Sequence, residues 1–240
     1  MEYYFTKKEN VFDNKLVITG QEAKHLQMVL RKKMGDQIYV TDGEKNLYKT
    51  EIKNISKDSI KCGIIEKYYN VNEPSSKIVL FQSLLKNPSR FEFVIEKTTE
   101  LGVYEIIPIL TENVINKSCS KLERWQSIAL SAMKQSQRCY LPKVNNPVNF
   151  AEAIKLCSKF DLNLIADERV WDSKIKISDL RLLLKDKNSC ALFIGPEGGF
   201  AKNEIETAAK NEFKILNLGK RKLRSETASI TAIGLLLNAY

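Results

Sequence analysis

Nothing constrains this chain more than the point at which its apolar run CALFI, residues 190–194, stops. The run has the length and composition of a buried strand, and Gly195-Pro196-Glu197-Gly198-Gly199 follows at once, where neither helix nor strand continues. Beyond this exit the pattern reads as a helix over 203–210, a second strand over 214–218 ending at Gly219, and a closing helix over 225–239. Two polar loops therefore leave two parallel strand ends. Ligands of open α/β sheets gather at the carboxyl ends of strands, and glycines let bare backbone approach a ligand that side chains would exclude. The bland alternative, a tight turn without a ligand, stays open. The loop has neither the G-x-x-x-x-G-K-S/T of a phosphate cradle nor the spacing of G-x-G-x-x-G, so nucleotide hydrolysis and hydride transfer lose ground.

The chain changes character near NVNEPSS, residues 70–76, a polar stretch with a proline that reads as a linker. Before it, short alternating runs at 3–5, 16–18, 37–41, 47–54 and 59–68 predict strands of a small β-barrel, and Asp42-Gly43 predicts a type I′ hairpin. One helix interrupts them over 23–30 and ends in Arg31, Lys32 and Lys33. Cations there either complement the helix dipole or meet RNA phosphate. After the linker, strands at 77–84, 103–110 and 162–166 alternate with helices at 90–101, 121–139, 150–160 and 177–185. The first of these helices turns Phe91, Val94, Ile95, Thr98 and Leu101 to one face and stops at Gly102; the second turns Leu122, Trp125, Ile128, Ala129, Ala132 and Met133 inward. Such alternation predicts an α/β domain with a mostly parallel sheet over residues 73–240, preceded by a barrel domain over 1–72.

Counting excludes much chemistry. The single histidine, His25, lies before the linker, so no Ser-His-Asp triad, Cys-His pair or histidine-based metal site can form in the second domain. His25 reads better as a partly buried helix residue than as a catalyst. Five scattered cysteines lack C-x-x-C spacing and look like small core residues of a reducing compartment. No metal is expected. A net charge of +9 favours an anionic partner, nucleic acid first, although a Lys- and Asn-rich composition raises the charge without any binding patch. With no long apolar run, the chain is expected to be soluble, unexported and cytoplasmic.

GPEGGF followed by LGKRKLRSETAS closely resembles the paired signature GPEGGF…LG-x-R-x-LR-x-ETA of the bacterial small-subunit (16S) ribosomal RNA uracil-N3 methyltransferases, members of the knotted S-adenosylmethionine-dependent superfamily. EKTTELGV (96–103) is similar to the family's QKATELGV, and KQSQR (134–138) to its EQSxR. Thr98 stands where the family has Ala, Lys134 where it has Glu, Ser225 where it has Thr, and Ala201 where a Ser is usual. That last change forfeits a capping box with Glu204, at about 0.5–2 kcal/mol of helix-end stability.

The resemblance implies a PUA-like RNA-binding barrel, a deep trefoil knot in the second domain, a homodimer, S-adenosylmethionine as cofactor and 16S ribosomal RNA, in the small subunit or a late precursor, as partner. By resemblance and by position, Gly195, Glu197, Gly198, Leu218, Gly219, Leu223 and Ala228 are assigned to the cofactor cleft, with ordinary core as the alternative for the two leucines. The resemblance also favours RNA contact for Arg31, Lys32 and Lys33. A uracil imide nitrogen is protonated at neutral pH, so its proton must be removed or the resulting anion stabilised. Arg138, Arg224 and Glu226 are the candidates; each alternatively serves structure, an Arg by pairing with a carboxylate, Glu226 by sitting in a first helical turn. The competing readings are a related methyltransferase acting on transfer RNA or a ribose hydroxyl, and a non-catalytic assembly factor.

Overall fold

The computed structural model describes residues 2–115, 121–167, 180–184 and 187–237. The chain divides into two compact units, one of Met1–Glu73 with Leu130–Leu141, the other of Pro74–Ala129 with Pro142–Tyr240. The first unit is thus not continuous in sequence, which an expectation built on a single linker does not anticipate.

In the first unit, strands β1 (Tyr3–Phe5), β2 (Lys15–Thr19), β3 (Gln37–Thr41), β4 (Asn46–Ser56) and β5 (Ser59–Tyr69) form one sheet in the order β1-β3-β4-β5-β2. Only the β1–β3 pair is parallel. The sheet curls over Leu16, Ile18, Val40, Ile52 and Ile60, all fully buried, and just past β1 the Thr6 hydroxyl donates to the Val17 carbonyl of β2 at 2.6 Å. The expected barrel therefore takes the form of a small, curled mixed sheet. The β3–β4 hairpin exists but is not a two-residue type I′ turn. Its loop runs over 42–46 with positive φ at Gly43 (74°) and Lys45 (72°), because the Asp42 carboxylate gathers the Glu44 N–H (2.8 Å), the Asn46 amide (2.7 Å) and the Tyr48 hydroxyl (3.1 Å) around itself. Burial, then the Asp42 charge, pushes the Tyr48 phenol up to about 12.

Helix α1 (Gly20–Lys24) starts earlier than expected and widens into a π-type turn over His25–Val29, leaving His25 half-buried. Its Glu22 accepts the Phe5 N–H at 2.9 Å and the Lys134 ammonium at 2.7 Å. Lys134, the departure from the family's Glu, therefore has a carboxylate partner, and both side chains are largely buried.

The second unit carries a parallel sheet in the order β12-β10-β11-β6-β7-β8, with β9 also on β7. Its strands are β6 (Lys77–Ser83), β7 (Glu105–Leu110), β8 (Lys143–Val144), β9 (Val148–Asn149), β10 (Leu162–Ala166), β11 (Ser189–Ile194) and β12 (Lys214–Leu216). The two-residue β8 and β9 carry too short a pattern to be read from sequence. Helices α2 (Pro88–Leu101), α3 (Leu122–Gln135), α4 (Phe150–Leu156), α5 (Leu180–Leu184), α6 (Lys202–Lys210) and α7 (Ser225–Leu237) connect or close it. Of the expected helices, residues 177–179, 185, 238 and 239 lie outside the described residues, as does Cys119.

Helix α2 begins on Asn87, whose side chain accepts the Ser89 N–H, with Pro88 in the first turn, and ends at Gly102 with φ 111°. A Cβ at Gly102 would stand 2.6 Å from Pro74, so glycine is required twice over. Phe91, Val94, Ile95 and Thr98 are buried as expected, but Leu101 is 38% exposed. It lies about 80° round the helix from Phe91, past the edge of the stripe. Thr98 fits where the family has Ala because its hydroxyl donates to the Val94 carbonyl at 2.7 Å. The core is aromatic: Phe81 and Phe193 stack at 4.4 Å, and Phe150 and Phe213 meet Phe193 edge-on.

Candidate active site

Strands β12, β10 and β11 are neighbours and parallel, so their carboxyl ends share one edge. The segments leaving them, with the first turns of α7, line a cleft of about 470 Å³, within the range of small-molecule sites. Gly195, Glu197, Gly198, Leu218, Gly219, Leu223 and Ala228 all line it, and so does Arg224. Sequence reasoning missed the third strand end: Ala166 and the buried Asp167 join the lining from β10, which separates β11 from β12. The available signal was the predicted strand at 162–166 running straight into an acidic residue.

The 195–200 loop is held from several sides. Phe200 turns back into the core, 1% exposed, and its ring would stand 3.2 Å from a Cβ at Gly195. Ser225 donates to the Gly195 carbonyl at 2.6 Å, and the Gly199 N–H closes onto the Pro196 carbonyl at 2.9 Å. Asn113 donates to the carbonyls of Gly199 (3.0 Å) and Gly198 (3.4 Å), while the Glu197 carboxylate accepts the Lys86 N–H at 3.2 Å. One expectation changes here. A Cβ at Gly198 would meet Asn113 at 3.3 Å, so the glycine makes room for a neighbouring side chain of the fold rather than for a ligand alone. Among the described residues nothing accepts the N–H groups of Glu197 and Gly198, which leaves two backbone donors for a bound molecule.

The 217–224 loop is built differently. Gly219 has φ 111° with open space around it, and its N–H donates to the Asn217 side chain at 2.9 Å, a local turn. Lys220, Arg221, Lys222 and Arg224 are exposed, whereas Leu218 and Leu223 are half-buried cleft walls rather than core. The helix α6 between the two loops keeps half of its capping box: Glu204 accepts the Ala201 N–H at 2.8 Å, but an alanine methyl offers no acceptor in return. The other Glu204 oxygen accepts the Glu112 N–H at 3.0 Å.

Three candidates for proton handling part company. Arg224 lines the cleft. Glu226 stands in the first turn of α7, one oxygen 3.6 Å from the Arg90 guanidinium, the other buried with no hydrogen-bond partner. Arg138 belongs to the first unit, 3% exposed, where it grips Glu73 at 2.7 and 3.1 Å; Glu73 also accepts the N–H groups of Cys139 and Tyr140 at 2.9 Å. Neither Glu226 nor Arg138 lines the cleft.

The sequence Arg31, Lys32, Lys33 follows the π-type turn, with Arg31 at φ 51° and the Lys33 N–H on the Asp36 carboxylate at 3.0 Å. None of the three side chains forms an ion pair among the described residues, and Met28 and Met34, 76% and 65% exposed, flank them. The four described thiols are buried and unpaired; burial pushes Cys62 and Cys139 up to about 11 and Cys157 up to about 12, so none is a poised nucleophile. No acidic, thiol or imidazole cluster fit for a metal, and no helix long and apolar enough to cross a membrane, occurs among the described residues.

One unit thus has a parallel sheet with a cleft at its carboxyl edge, and the other a small mixed sheet. Residues 72–237 match the RNA methyltransferase domain family and residues 18–65 the RNA methyltransferase PUA domain family, which defines the class. Within that class the chain belongs to the ribosomal RNA small subunit methyltransferase E family. It is 38% identical to the member from Mesomycoplasma hyopneumoniae, over 93% of this chain and 92% of that one, and 31% identical to the Bacillus subtilis member, over 97% and 94%. It is also similar to the solved ribosomal RNA small subunit methyltransferase E from Neisseria gonorrhoeae bound to S-adenosyl methionine, at 28% identity and TM-score 0.87, covering 100% and 98% of the two chains.

Proposed function

We propose that this chain transfers a methyl group from S-adenosylmethionine to N3 of one uridine in 16S ribosomal RNA, acting on the small subunit or a late precursor, in the cytoplasm and as a homodimer. The observation that carries this reading is the convergence of the GPEGGF and LGKRKLRSE segments on one cleft, with all seven cofactor candidates in its lining. The cleft suits the cofactor by its size and by the open N–H groups of Glu197 and Gly198. When bound, S-adenosylmethionine supplies an electrophilic methyl carbon on a sulfonium. The chain's own groups then deal with the acceptor. Arg224, the one of the three candidates that lines the cleft, stabilises the negative charge that develops on the uracil carbonyls as the imide proton leaves to solvent. Gly195, Glu197, Gly198 and Gly219 would hold the cofactor, which would supply the methyl to N3 and keep the carbon–sulfur bonding electrons on its sulfur. Arg138, locked onto Glu73, positions its segment and acts only indirectly. Arg31, Lys32 and Lys33 meet RNA phosphate from the first unit.

The test is methyl transfer to subunits and to naked 16S RNA, both from cells lacking the modification, followed by nucleoside mass spectrometry. N3-methyluridine from subunits is expected. A ribose-methylated nucleoside, or activity on transfer RNA alone, would replace this reading with the corresponding related activity.

A further inference from the structure

A polar chain runs through the interior of the second unit to the cofactor loop. Gln82 on β6 and Ser229 on α7 are both fully buried, and Ser225 is 6% exposed. The Ser229 hydroxyl has one hydrogen and two acceptors within reach, Gln82 Oε1 and the Ser225 carbonyl at 3.0 Å. Gln82 Nε2 spends its two hydrogens on Ser225 Oγ at 3.0 Å and on the Ser83 carbonyl at 3.0 Å. Ser225 Oγ, its lone pair engaged by Gln82, then has its own hydrogen to give, and gives it to the Gly195 carbonyl at 2.6 Å. The Ser83 carbonyl accepts only from Nε2 and so fixes the orientation of the amide, which sends the other Gln82 hydrogen to Ser225 Oγ and leaves the Ser225 hydrogen for the loop.

We infer that Ser225, oriented by Gln82 and Ser229, is a positioning residue that sets the Gly195–Pro196 peptide and thereby aims the open N–H groups of Glu197 and Gly198 at the cofactor. This rests on the proposed cofactor reading. The argument is one of satisfaction. Gly195 is buried, and a proline follows it, so the Gly195 carbonyl has to be satisfied from inside the protein while no N–H at 196 helps to fix the turn. Without the Ser225 hydroxyl, the carbonyl is left unpaired or the peptide rotates towards water. Rotation carries the next two peptide groups with it. Serine and threonine both supply the hydroxyl, so the departure from the family's Thr at 225 preserves the function that the geometry requires.

The test is calorimetric titration of S-adenosylmethionine into the full-length native chain and into Ser225→Ala, Ser225→Thr and Ser229→Ala, with cofactor KM and kcat measured on small subunits. Ser225→Ala is expected to weaken cofactor binding about tenfold and to raise the cofactor KM more than it lowers kcat, with RNA KM unchanged. Ser225→Thr should restore native affinity, and Ser229→Ala should lose about threefold by releasing Gln82. A merely structural role would lower the melting temperature without moving KM. Affinity within twofold of native in Ser225→Ala, or failure of Thr to rescue it, overturns the inference. Should Ser225→Ala not fold, Ser229→Ala decides by the same criterion. If the native chain itself binds no S-adenosylmethionine, the cofactor reading falls, and this inference with it.

Discussion

The two loops that wall the cleft are made on opposite plans. The 195–200 loop is almost neutral and held by the rest of the fold through Phe200, Ser225, Asn113 and the Glu197–Lys86 contact. The 217–224 loop is strongly cationic, exposed, and organised mainly by its own Asn217–Gly219 turn. Their glycines differ in the same way. Gly198 is needed because Asn113 crowds it, although its φ is ordinary; Gly219 is needed because its φ is 111°, although nothing crowds it. A cofactor that must be held in line for transfer favours a wall fixed before binding, since geometry prepared in advance lowers the barrier. A polyanion is attracted by charge over longer range and tolerates a wall with fewer fixed partners.

The contrast is broken most severely by Phe200→Ala. Losing a fully buried ring beneath Gly195 should cost about 3–5 kcal/mol in denaturant unfolding and abolish cofactor binding at the same time. Arg224→Ala attacks the other loop and should do the reverse: stability and cofactor affinity stay near native, while turnover falls about 10²–10³-fold, equivalent to roughly 2.7–4 kcal/mol. Single-turnover rates on subunits measure it, and near-native turnover would remove Arg224 from the mechanism.

The glycines sharpen the comparison further. Gly219→Ala should cost about 1–3 kcal/mol through backbone strain that no second substitution relieves, because its surroundings are already empty. Gly198→Ala should cost less, and Asn113→Gly should relieve part of that cost, a coupling visible in a double-mutant cycle. Additive effects at 198 and 113 would show that crowding is not what selects glycine there. For the cationic loop, Lys220→Ala, outside the cleft lining, should reduce the slope of log affinity for RNA against log salt by about 0.7–0.9 while leaving cofactor affinity alone.

The smallest expected effect lies at the other end of β11. There the exposed Asp161 carboxylate accepts the Ser189 hydroxyl at 2.9 Å and the N–H groups of Asn188 and Ser189 at 3.0 Å. These donors, the Ser189 hydroxyl first, hold its pKa below the ordinary 3.8. A lowered folded value means that the stabilisation is present above the ordinary value and disappears as pH falls through the folded one. Asp161→Asn should therefore melt slightly below the native protein at about pH 6, with the difference vanishing in strong acid. A difference that persists there would assign the effect to geometry rather than charge.

The amino-acid order alone determined the local elements and the edge of the sheet that carries the cleft. Apolar runs of strand length, the Gly stop for α2 and the interruption at GPEGG are read within a few residues, and so are the two loops that carry six of the seven proposed cofactor residues, with Ala228 in the helix that follows. Tertiary structure decided whatever depends on partners distant in sequence. Asp42 turned a predicted two-residue turn into a longer loop by collecting donors. Glu73 claimed Arg138, and β10 inserted between β11 and β12 to bring Asp167 to the cleft. The physical reason is the same in each case. Periodicity and turn chemistry act over a few residues and leave their mark in the order of the chain, whereas a buried carbonyl or guanidinium must be satisfied by whichever group the fold brings within about 3 Å, and order along the chain does not encode that distance.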